Sequence, residues 1–247
     1  LGASAGSFRI RSDVWEIQNL MCEAFGYECS CVMGLECDVS ELQDMGGAEI
    51  NLVLRTEAVE AADILKEKCG TPYVYDAPYG YGGTLDWLGK ISKIIGCEIN
   101  PKLSTRLKEK IRRLSPMGGP MGIGMMGAVK RKASLQGDYD TLLGFSRALE
   151  ELNIDLENAV CSHSLKAIEN PDERIRFIPK EKERIELWKS ISGQWCLGSD
   201  EMGLFCKDAD YFTLISAPFN SKLQRATHIP FMGEKGMDYL VELKSEF

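Results

Sequence analysis

Residues 48–96, AEINLVLRTEAVEAADILKEKCGTPYVYDAPYGYGGTLDWLGKISKIIG, alternate short apolar runs with segments of helical period. Ala48 to Leu54 has the length and branched apolar composition of a strand. Thr56 follows as a helix cap, the helix runs to Cys69, and Gly70 closes it. Pro72 to Tyr75 reads as the next strand. Thr84 then caps a helix over Leu85 to Ile95, which Gly96 stops. This alternation predicts parallel strands joined by helical crossovers, the α/β layering in which helices cover a sheet.

The same pattern extends on both sides. Upstream, Val14, Ile17, Leu20, Met21 and Phe25 form one apolar stripe. It predicts a helix from Asp13 to Phe25, with Asp13 as cap, Glu16 as its capping-box partner and Gly26 as stop. Glu28 to Met33 reads as a strand and Ser40 to Met45 as a short helical turn. Downstream, Asn100-Pro101 opens a helix to about Leu114, with proline at the favoured first position. Ser115 to Gly127 is then crowded with Gly, Pro and Met, which excludes a helix or strand interior. Beyond it Arg131 to Gln136, Ala159 to Ser162, Arg174 to Ile178, Trp195 to Gly198 and Tyr211 to Ser216 read as strands. Tyr139 to Leu152, Glu181 to Ile191 and Met237 to Lys244 read as helices. The expectation is an α/β protein of two Rossmann-like domains with parallel sheets flanked by helices, at 1–114 and 128–247, joined by a linker at 115–127.

The whole chain has 247 residues, 29 Lys and Arg against 37 Asp and Glu, and a net charge of -8. That balance argues against a nucleic-acid binder, which must neutralise phosphates. No apolar run approaches the length of a membrane span, and Leu1 to Ile10 lacks the layout of a signal peptide. Nine cysteines, an odd and irregularly spaced set, do not resemble a secreted disulfide framework. A reducing, cytoplasmic setting is expected.

Few motifs carry chemistry unaided. Gly122-Ile-Gly-Met-Met-Gly127 has the dinucleotide pattern without a strand before it and a helix after it, so it reads as part of the connector. Cys29, Cys31 and Cys37 lack the C-x-x-C spacing of a thiolate cluster and read as reduced thiols. His163 follows a strand and His228 precedes Ile229-Pro230; neither has a ligand-spaced partner. The loop from Asp76 to Thr84 joins a strand to a helix. Its glycines allow close backbone approach, and the helix start favours an anion. Arg55 stands at a strand's carboxyl end, where α/β folds bind ligands.

Together these pieces resemble the nitrogenase component 1 type oxidoreductases. The likeness rests on Ala48 to Leu54, the helix end at Leu65 to Cys69, Gly70-Thr-Pro-Tyr73, Pro78-Tyr-Gly80 and Thr84. It also rests on Ile229-Pro-Phe-Met-Gly-Glu-Lys-Gly236 near the end of the chain. Leu197-Gly-Ser199 and Gln224-Arg-Ala-Thr resemble the chlorophyllide reductase Z-type branch. The resemblance implies a nitrogenase component 1-like fold and covers the second and third domains of a three-domain subunit. It implies a homologous partner subunit and electrons supplied by an ATP-dependent iron–sulfur reductase. The substrate would be a small molecule or a tetrapyrrole. An iron–sulfur cluster is expected in the complete complex and none on this fragment alone, which by itself would be inactive. The alternative is a non-catalytic scaffold or accessory subunit holding a cofactor precursor or a partner chain.

Two positions depart from the molybdenum enzyme. Where its cofactor Cys and His would align, this chain has Arg55 and Lys235, cations without a free donor pair for iron. Nitrogen fixation on that cofactor is therefore not expected, and an anionic ligand suits the pair better. The expected substrate or cofactor pocket comprises Arg55, Gly80, Thr84, Ser199, Glu201 and Lys235. No residue is assigned a catalytic role or a metal.

Overall fold

The computed structural model describes residues 1–35, 37–114, 130–163, 171–219 and 229–246. The expected linker at 115–127 with its G-x-G-x-x-G run, the Gln224-Arg-Ala-Thr run and His228 lie outside them. The chain divides into two units, Leu1–Ile111 with Ala226–Tyr239, and Arg112–Arg225 with Leu240–Phe247.

In the first unit the elements are α1 (Ile10–Phe25), α2 (Val39–Asp44), β1 (Asn51–Val53), α3 (Val59–Cys69), β2 (Tyr73–Tyr75), α4 (Tyr81–Ile95) and α5 (Pro101–Leu114). β1 and β2 pair in parallel, with Asn51 opposite Tyr73 and Val53 opposite Tyr75. Val53, Trp87, Leu88, Ile91, Leu103 and Leu107 are fully buried and belong to the core of this unit. The glycine stops fall as predicted: Gly26, Gly70 and Gly96 each end a helix at φ between 71° and 76°, the left-handed conformation that favours a residue without Cβ.

Two local expectations fail. Glu28 to Met33 forms no strand among the described residues. It is largely exposed, and its pairing is confined to a single β-bridge at Val32. The second concerns α1, which begins at Ile10, three residues before the predicted cap, so Asp13 lies inside the helix. The buried Asp13 carboxylate instead accepts the backbone N–H groups of Phe231 at 2.6 Å and Met232 at 2.9 Å. Glu16, also buried, accepts the Lys235 N–H at 3.2 Å and pairs with its ammonium at 3.2 Å. Two acids read as helix caps therefore dock residues far away in the chain. This is why Ala226–Tyr239 belongs with the first unit, although the sequence places it in the second domain.

The second unit carries β3 (Lys132–Gly137), α6 (Tyr139–Glu151), β4 (Asp155–Cys161), β5 (Ile175–Phe177), α7 (Glu181–Lys189), β6 (Trp195–Gly198), α8 (Asp200–Phe205) and β7 (Tyr211–Leu214). The last helix, α9 (Gly233–Glu246), enters this unit at Leu240. Its five strands are all parallel, in the order β5-β4-β3-β6-β7. A sheet covered on both faces needs strands that are apolar throughout. β6 meets this with all four residues buried, and β3 is buried from Ala133 to Gly137. Both units are parallel α/β assemblies, as the sequence predicts.

Candidate functional site

The order β5-β4-β3-β6-β7 reverses between β3 and β6. The chain leaves β3 towards β4 on one side, and β6 towards β7 on the other. Open α/β sheets bind ligands beyond the carboxyl ends of the strands that flank such a reversal. Here that place is built by Gln136 and Gly137 at the end of β3, Asp138 after it, Ser199 after β6 and Ser216 after β7.

Gln136 organises the group. Its side-chain Oε1 accepts the Ser199 N–H at 2.8 Å, and its backbone carbonyl accepts the Ser216 hydroxyl at 2.8 Å. Gly198 allows this close approach, because a Cβ there would stand 3.1 Å from the Gln136 side chain and 2.5 Å from Met202 Sδ. Ser199 is fully buried, and its hydroxyl has no hydrogen-bond partner among the described residues. Asp138 is committed to α6, accepting the Thr141 N–H at 3.0 Å and its hydroxyl at 2.9 Å. At the end of neighbouring β4, the Cys161 thiol lies 3.3 Å from the His163 carbonyl and 3.8 Å from its ring. The site offers hydroxyl, amide and thiol groups for recognition. Its carboxylate already serves as a helix cap.

The expected pocket residues separate into distinct settings. Glu201 is paired with the buried Arg184 at 3.1 Å, and the same guanidinium donates to the carbonyls of Ile178 and Pro179. It thereby fastens α8 to α7. In the first unit Arg55 meets Glu57 at 3.0 Å and Ser7 Oγ at 3.4 Å. Lys235 meets Glu16, with its own side chain 63% exposed. Thr84 does not cap α4, which begins at Tyr81. It lies fully buried in the first turn, and its hydroxyl donates to the Gly80 carbonyl at 2.5 Å. A threonine hydroxyl is satisfied as well by this backward bond as by a cap, which is why the sequence misplaces the helix start. Gly80, at φ 79°, is the residue before α4. The carbonyl of Pro78 beside it accepts the Gly233 N–H at 2.6 Å. The glycine loop and the segment holding Lys235 are thus brought together, as parts of one unit.

Further ion pairs fix that segment. Arg106 bridges Glu23 at 2.8 Å and Glu234 at 2.7 Å, and Lys110 meets Glu234 at 2.8 Å and Asp238 at 2.6 Å. Burial pushes the Glu234 carboxyl up, but the bonds from Arg106 and Lys110 outweigh it and hold the group below its ordinary value. For Asp13 burial prevails over its two amide donors and raises the carboxyl to about 6.

Gln136 and Ser216 were missed as site residues. Their signal in the sequence is a polar side chain closing an apolar strand run. All nine cysteines are free, and among the described residues no three His, Cys, Asp or Glu side chains are grouped to hold a metal. Among those residues, too, no helix is long and apolar enough to cross a membrane.

Both units are parallel α/β assemblies, and the sheet of the second reverses its strand order between β3 and β6. The chain belongs to the nitrogenase component 1 type oxidoreductase family, which it matches over residues 3–243. Similar proteins include the B-type subunits of light-independent protochlorophyllide reductase from two bacteria. That of Cereibacter sphaeroides is 33% identical over 99 residues, and that of Methylobacterium radiotolerans 34% identical over 104 residues. These alignments take in 40% and 42% of this chain and 19% of each relative. The solved structure of nitrogenase Cp1 at pH 6.5 superposes on 96% of this chain with a TM-score of 0.72 and 17% identity, which bears on the fold. The chain covers 57% of that protein.

Proposed function

We propose that this chain is part of the catalytic component of a nitrogenase-like reductase. In this reading the component receives electrons from an ATP-dependent iron–sulfur protein and delivers them to a small organic substrate, of which a tetrapyrrole is the leading candidate. The observation that carries it is the family match over residues 3–243. The naming of two relatives as protochlorophyllide reductase subunits supports the substrate class. A homologous component 1 subunit is the expected partner. We assign the cluster of the working complex to other segments or subunits and route no step through this chain's cysteines.

The part we assign to this chain is binding. By the family resemblance Arg55 and Lys235 correspond to cofactor ligands of the molybdenum enzyme, and each carries a charge suited to a substrate carboxylate. Their present partners are carboxylates, Glu57 and Glu16, so a ligand acid would compete for a charge already drawn to acids. Arg55→Ala and Lys235→Ala should each weaken substrate binding roughly tenfold, the worth of one charge-assisted hydrogen bond. The test is coexpression with a homologous component 1 subunit and an ATP-dependent iron–sulfur protein. It is followed by an anaerobic assay of protochlorophyllide absorbance with and without ATP. Copurification with ATP-dependent turnover supports the proposal; absence of both overturns it.

A further inference from the structure

Leu1 is bonded as a strand residue is. Its nitrogen donates to the Leu52 carbonyl at 2.6 Å, and its carbonyl accepts the Leu54 N–H at 3.0 Å. Two bonds that bracket Val53 in this way make one rung of a parallel ladder. The rung lies on the edge of β1 that faces away from β2. Asn51 and Val53 turn their backbone groups to the β2 side, where the Asn51 N–H donates to Pro72 and the Val53 carbonyl accepts from Asp76. Leu52 and Leu54, the alternate residues, serve the other edge. Gly2, at φ 84°, then takes the chain out of extended conformation. Among the described residues no strand pairs with this edge, and two strands alone make a marginal sheet. Burial pushes the Leu1 amine below its ordinary value, so the position favours an uncharged N–H over an ammonium.

A parallel strand leading into Leu1 would have to run past Leu52, Asn51 and Ile50. All three line a cavity of about 700 Å³, as does Leu1 itself. Residues 28–32 line it too. They belong to the run that has the composition of a strand and whose pairing stops at one bridge, at Val32. Met21 and Phe25 of α1 add apolar surface to the lining. One cavity thus borders both the open edge of β1 and a strand-like run without a ladder. We propose that an extended, largely apolar segment joined to the Leu1 nitrogen occupies this cavity as a further strand of the first unit, parallel to β1 and paired on its other side with residues 28–32. The second residue before Leu1 would accept the Leu52 N–H and donate to the Ile50 carbonyl, continuing the rung already present. The proposal is independent of the pocket assigned to Arg55 and Lys235, and of the reductase reading.

The test extends the whole chain ahead of Leu1 by a short segment, long enough to pass Ile50. One version carries valines only, a second alternates threonine with valine, and a third, of equal length, alternates glycine with serine. Relative to the glycine–serine chain, the β-branched extensions should slow hydrogen exchange at the Leu52 N–H by about tenfold or more, and should bring protection to amides within 28–32. The Asn51 N–H, already bonded to Pro72, should change less. Alkylation of Cys31, which lines the cavity, should slow, while that of Cys22, exposed and outside the lining, should not. If the valine chain alone is insoluble, the threonine–valine chain decides. Extensions that exchange freely and leave Leu52 and Cys31 as they were would overturn the proposal. So would aggregation of both β-branched chains while the glycine–serine chain stays folded.

Discussion

Single residues in this chain gain their meaning from partners that are distant in sequence. Asp13 and Phe231 are 218 positions apart, yet their bond measures 2.6 Å. Burial raises the Asp13 carboxyl from its ordinary value of 3.8 to about 6. The native state thus holds this proton more tightly than the unfolded chain, and ionising the group costs stability. Its contribution falls as pH rises from about 4 to about 6 and is level above, a change of roughly 3 kcal/mol at most. Asp13→Asn keeps an oxygen for both amides and removes the titration. Its denaturation midpoint should gain on that of the unmodified protein across this interval, whereas parallel pH profiles would contradict the assignment. Gln136 makes a different demand. Gln136→Leu leaves the buried Ser199 N–H without its acceptor and should cost about 1–3 kcal/mol in chemical denaturation.

At the scale of elements, legibility tracks locality. The apolar stripe and glycine stop of α1, the proline start of α5 and all four residues of β6 could be read directly, because each depends on neighbours in sequence. Thr84 was misread because its hydroxyl could bond forwards as a cap or backwards to Gly80, and local sequence does not choose between them. Residues 28–33 have the composition of a strand, but their pairing stops at one bridge, at Val32. Asp13 and Glu16 looked like caps because an acid before an apolar stripe has that use in isolated helices; their donors come from the other end of the chain. In the candidate site, Ser199 could be named from its place after a strand, while placing Gln136 beside it required knowledge that β3 and β6 are neighbours. The network around Glu234 makes an element-scale prediction. Glu234→Gln keeps the size and halves the attraction for Arg106 and Lys110. It should lower stability by about 1–2 kcal/mol in thermal melts. Added salt should narrow the gap, since Arg106 is 42% exposed.

For the molecule as a whole, the repeated strand and helix pattern does not reveal that Ala226–Tyr239 groups with residues 1–111. That membership predicts the outcome of truncation. Ending the chain before Ala226 removes the donors to Asp13 and Glu16 and strips Glu234 from Arg106. The first unit should then lose its cooperative melting transition although residues 1–111 remain. An unchanged transition in the truncated protein would show that the segment is dispensable.

This interleaving also sets a timetable for synthesis. A ribosome makes residues 1–111 first, but those residues wait through the entire production of 112–225 before Phe231 and Met232 emerge to meet Asp13. Domains usually fold in the order in which they leave the tunnel. Here the bulk of the first unit is translated before the second and completed after it. Until then the nascent chain carries an unfinished surface around two acids without donors, and a slow passage through the codons for 226–239 would lengthen that exposure.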